Sequence, residues 1–366
     1  MTQETTARSR GSLWIVVVSI VTALALGVGI TALVLVIGAR DASTPQALVS
    51  AYLTDVKRGD VEAATKLEGR THRAADVLLT NKAYKNATDR VTAFRIVTVR
   101  PHGRDATVTA EVTGGGTKST RDFAVSRGAW TPASLVGVDS WKLAPVTLGT
   151  VTVTIGAPGR VDATLAGVPL GWKGAALRLN AFPGTYTLAA STGNDWFTLA
   201  GATASVAGFA DDVQLQDAAV LTQKGLDSAQ ASAQAWLDTC AASPEAQPAG
   251  CSFGLSSGAE PGEIWTNAAW TVQSRPTVTV GPWDFGCHLP DQAAVSAGGC
   301  WPVKTATPGT VTFQADFSMP ATGDSGTVTS TAPIEADVEG SISSFGDAGA
   351  VFQSVTWGPG TPAEGS

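Results

Sequence analysis

Histidine is almost missing from this chain. Three occur in 366 residues, at His72, His102 and His288, and none has a partner at metal-binding spacing. That removes the common imidazole-based zinc and acid–base sites. Cysteine is absent before Cys240, and its four copies (Cys240, Cys251, Cys287, Cys300) form no tight C-x₂₋₄-C knuckle. Structural zinc normally needs such knuckles. Charge is also scarce, at 15% of residues against 44% hydrophobic, a balance that excludes wholesale disorder. A pI near 5.0 argues against a nucleic-acid-binding chain. No cofactor and no nucleic-acid partner are expected.

What is present begins with an uncharged run of 27 residues, 13–39. It is long enough to cross a bilayer, which takes about 20 apolar residues, and longer than the roughly 7–15 of a cleaved signal peptide. Arg8 and Arg10 precede it, and only Arg40, beside Asp41, follows. The positive-inside rule then predicts a cytoplasmic tail over 1–12, a transmembrane signal anchor over 13–39, and an extracellular remainder in the cell membrane's single-pass topology. The even cysteine count suits an oxidising compartment. Of three possible pairings, Cys240–Cys251 and Cys287–Cys300 close the shortest loops; free thiols and zinc are the rivals.

Beyond a short linker, Thr44-Pro45 opens a helix as N-cap and first residue, with Leu48, Tyr52 and Val56 on one face. Asp60 caps a second helix, and a third short one is expected over 74–79. The period then falls to two: strands are expected over 91–99, at Ala106 to Val112, at Phe123 and Val125, and through Val136, Val138 and Trp141. The run TPQALVSAYLTDVKRGDVEAATKL, the strands after it and the closing DSWKLAP resemble the NTF2-like (cystatin-like) domains that follow a membrane anchor in bacterial envelope proteins of actinobacterial type. The resemblance covers residues 44–146 and implies an α+β cone. Catalytic members place an acid or base in that cone; Tyr52, Asp55, Asp60 and Asp76 are the nearby types, and none occupies a family position.

Residues 147–222 alternate and turn often, as in a small β-sandwich. Phe182-Pro183-Gly184-Thr185-Tyr186 is similar to the turn of PEGA-type surface modules. Residues 224–357 read as one helix, with Leu226, Ala229, Ala233, Leu237 and Cys240 on a face, followed by antiparallel strands. WLDTCAASPEAQPAGCSF resembles segments of secreted actinobacterial envelope proteins. Residues 358–366 read as a disordered tail. The expected fold class is thus one N-terminal transmembrane helix and an α+β NTF2-like domain, then β-rich sandwich-like and helix-plus-antiparallel-sheet modules.

Few residues carry chemistry. Gly254-Leu255-Ser256-Ser257-Gly258 matches G-x-S-x-G but lacks the strand before it that a nucleophile elbow requires. Glu335, Asp337 and Glu339 share one strand face, which fits a solvated surface or a calcium ligand set; no metal is expected. Six of eleven tryptophans lie from Trp236 onward. Trp265, Trp270, Trp283 and Trp301, set among polar and Pro/Gly residues, are the candidates for stacking on a ligand. The net charge of −7 conceals 15 basic and 10 acidic residues over 44–146 against 6 and 19 over 147–366. The basic part can meet anionic lipid or cell-wall polymer; no protein partner is identified. The leading expectation is a non-enzymatic envelope protein presenting binding modules. The alternatives are an envelope-modifying enzyme with its acid/base pair in the first cone, and a structural or assembly subunit.

Overall fold

The computed structural model describes residues 44–129, 140–255, 258–287 and 299–354. The expected anchor at 13–39, the tail at 358–366, Val136, Val138, Ser256, Ser257 and His288 lie outside the described residues. Strand makes up 48% and helix 17%, and among the described residues no helix is long and apolar enough to cross a membrane. This corrects the expected fold class. The described chain is predominantly β, and its helices among the described residues are short or, in the longest, amphipathic rather than apolar all round.

The described chain divides into two compact units. The first runs to Gly149 and also takes in Ala181–Thr185 and Val206–Asp211. These units are divided differently from the expected segments 44–146, 147–222 and 224–357. Residues 147–149 and two short returning segments of the anticipated middle module belong to the first unit, and the rest of that module groups with the C-terminal part.

In the first unit, Thr44 accepts from the Ala47 amide and starts α1 (Pro45–Arg58). Asp60 does the same for α2 (Val61–Leu67) through the Ala63 amide. A 3₁₀ turn (Ala74–Asp76) and α3 (Asn81–Asn86) follow. Four strands then form an antiparallel meander: β1 (Val91–His102), β2 (Asp105–Gly114), β3 (Thr117–Arg127) and β4 (Trp141–Leu143). α1 buries Val49, Tyr52, Leu53 and Val56 against this sheet, whose inner face carries Ala106, Val108, Ala110 and Val112.

The second unit is built from small sheets. β5 (Gly149–Gly156) sits between β8 (Leu177–Ala181) and β12 (Asp212–Ala218), and its pairing with β12 is parallel. β6 (Asp162–Leu165), β7 (Val168–Pro169), β9 (Gly184–Ser191) and β11 (Ala202–Val206) make a second sheet, while β10 (Phe197–Thr198) pairs with β13 (Val220–Leu221). The long helix α4 (Gln223–Ala241) follows, capped by Thr222. Two antiparallel sheets complete the unit. One holds β14 (Ile264–Ser274), β17 (Gly309–Met319), β18 (Asp324–Thr329) and β19 (Ile334–Ala336). The other holds β15 (Thr277–Val280), β16 (Trp301–Thr307), β20 (Gly340–Gly346) and β21 (Gly349–Ser354). α4 turns Ala229, Ala233 and Leu237 inward and packs on β21, β15 and β14. The cysteines are paired, Cys240 with Cys251 and Cys287 with Cys300, at Cα separations of 5.8 and 5.6 Å.

Candidate functional site

The interior of the first unit is occupied by aromatic rings. Tyr52 meets Phe123 at 5.8 Å and Phe182 at 6.4 Å, and Phe182 meets Tyr84 at 5.6 Å. Phe209 closes on Phe123 and Phe182 at 5.9 and 6.3 Å. Phe182 and Phe209 come from the two returning segments, so the chain fills this space with its own side chains. Below them lies a buried polar group. Glu68 Oε2 accepts from Arg70 Nε and Nη2 and from the Val146 amide, while Arg70 Nη2 also donates to the Val146 carbonyl at 2.6 Å. The Tyr52 hydroxyl and Glu68 Oε1 are both buried, and the phenol faces the Glu68 carboxylate. Burial, then the Glu68 charge, pushes the Tyr52 phenol well above its ordinary value.

The acids named from sequence do not converge there. Asp60 is an N-cap that also accepts from Asn81. The Asp76 carboxylate accepts from the Arg73 amide. Asp55 has a carboxyl raised by partial burial and by neighbouring Asp60. Before the G-x-S-x-G motif, residues 251–253 form no strand. Glu335 points outward while Ala336 and Val338 are buried, and among the described residues no group of three His, Cys, Asp or Glu is placed to hold a metal.

The four named tryptophans are mostly covered. Trp301 is 1% exposed and donates from Nε1 to the Ala219 carbonyl. Trp270 donates to the Glu245 carbonyl and lies 4.9 Å from both Phe253 and Phe313. Trp265 is half-buried against Phe313. Carbonyl acceptors and neighbouring rings suit core indoles. Trp283, 7% exposed, packs edge-on to Trp301 at 4.6 Å yet also lines an open cleft.

That cleft, about 1130 Å³ within the second unit, is the candidate site. Its walls are the 157–164 and 169–174 segments, with Trp283, Gly299, Ser343 and Ser344. The side chains able to engage a ligand are Arg160, Asp162, Trp172, Lys173 and the two serines. Trp172 was not singled out in the sequence reading. The signal was there: Trp172-Lys173 stands between Gly171 and Gly174, whose φ values of 57° and 94° favour glycine. Such bracketing projects two side chains from a tight loop. Trp172 is half-buried and lines the cleft, and its Nε1 is buried without an acceptor. Arg160 and Asp162 face each other at 3.7 Å, both highly exposed.

No family model, curated protein or solved structure matches this chain.

Proposed function

We propose that this protein works outside the cytoplasm as a non-catalytic binding protein of the cell envelope, held at the membrane through the uncharged run at 13–39. The observation that carries the reading is the pairing of all four cysteines in the unit that also bears the cleft. Disulfides persist in oxidising compartments and are rare in reducing ones. The cleft supports a binding role: it joins an apolar ring to exposed polar groups, without a nucleophile–base pair. The enzyme alternative loses support from the first unit, where Phe182 and Phe209 occupy the space a substrate would need.

A reporter enzyme that is active only in oxidising compartments, fused after Ser366, is expected to be active. The purified chain, denatured without reductant, is expected to show no free thiol and, when native, to co-sediment with isolated envelope. An inactive reporter, or four free thiols, overturns the location; no retention by any envelope fraction overturns the binding role.

A further inference from the structure

We propose that the cleft of the second unit binds a saccharide chain bearing carboxylates, of the uronic-acid type. The inference rests on the binding role above and names its ligand.

Three features of the cleft lead there. The first is Trp172. Trp172 is half-buried and lines the cleft, and its indole N–H is buried without an acceptor, a destabilising arrangement. An apolar ring flanked by polar groups is the platform on which the C–H face of a sugar ring stacks. The second is charge. Residues 147–366 hold only 6 basic residues against 19 acidic ones. Arg178, Lys224 and Arg275 are each engaged with an aspartate. Arg160 and Lys173 both line the cleft. Lys173 has no ion-pair partner among the described residues, and Asp162 offsets Arg160 only loosely at 3.7 Å. An acidic half-chain therefore keeps one unbalanced cation beside its accessible tryptophan, which selects for a carboxylate next to a stacked ring. The third is size and lining. About 1130 Å³ is far more than a free carboxylate or phosphate needs and exceeds a drug-sized pocket of roughly 300–1,000 Å³. Ser344 adds a hydroxyl on the same lining, suited to sugar hydroxyls.

The test is calorimetric titration of the full chain with a galacturonic-acid trimer, against maltotriose and sodium acetate. Saturable binding of the uronate trimer is expected, about tenfold tighter than maltotriose, with no saturation by acetate. W172A is expected to weaken the uronate trimer about tenfold. K173E, at an exposed position, is expected to abolish the preference over maltotriose. Unchanged melting temperatures would show that both variants fold. No binding of the trimer, equal binding of both trimers, or wild-type affinity in W172A overturns the proposal. Failure here with continued retention by isolated envelope would reject the ligand class alone; loss of both would reject the binding role.

Discussion

Arg70 keeps a buried carboxylate paired. Glu68 is 5% exposed, and its only cationic partner among the described residues is Arg70. Removing one member of a buried pair strands the other, at about 3–5 kcal/mol. R70A is therefore expected to destabilise the first unit by about that much in urea unfolding, and R70A/E68Q by less. Tyr84 makes a second prediction. Its hydroxyl donates to the Pro183 carbonyl and accepts from the Val91 amide, and burial, the main cause, raises its pKa to about 12. Tyr52 is raised as well. An unfolded phenol ionises near pH 10, so between there and the folded value the native state holds more protons than the unfolded one. Stability present below about pH 10 is thus lost as pH rises. Tyrosinate absorbance should appear together with loss of circular dichroism above pH 10, rather than as a free titration. Y84F should cost about 1–3 kcal/mol at neutral pH by leaving the Val91 amide and the Pro183 carbonyl unpaired.

Helix and strand positions depend on near neighbours in sequence, and here the sequence was informative. Thr44-Pro45 and Asp60 announced two helix starts, and short loop lengths favoured the observed cysteine pairs. The covers over the tryptophans were not legible. Trp270 stands among polar residues in the sequence, and Phe253, Phe313 and the Glu245 carbonyl reach it only through the fold. The docking of α4 was hidden for the same reason. Gly225, in its first turn, lies so close to the Trp196 carbonyl that a methyl group there would collide with backbone. G225A is expected to lower the melting temperature of the second unit despite the better helix propensity of alanine, whereas an alanine at exposed Thr239 should be neutral or mildly stabilising.

Across the whole molecule, covalent constraint and chain order fall on different units. Both disulfides lie in the second unit, each closing a short loop worth about 3 kcal/mol in the chain-entropy account. Hydrogen exchange read by mass spectrometry should show reductant removing protection from α4 and β16 while β2 and β3 keep theirs. The first unit instead depends on Ala181–Thr185 and Val206–Asp211. F182A should cost it about 3–5 kcal/mol, and a fragment ending at Gly149 should expose its aromatic interior and bind a hydrophobic dye. No local pattern foretold this return, because the partners of Phe182 lie far away in sequence. The same return sets a schedule for biogenesis. Ribosomes add residues from the N-terminus at about 5–20 per second, so the nascent first unit waits roughly 3–12 s between the emergence of Gly149 and that of Asp211. Tyr52 lacks its cover until Phe182 emerges, and Phe123 until Phe209 follows. The part of the chain made first is finished late, and a holding chaperone has a defined window in which to act.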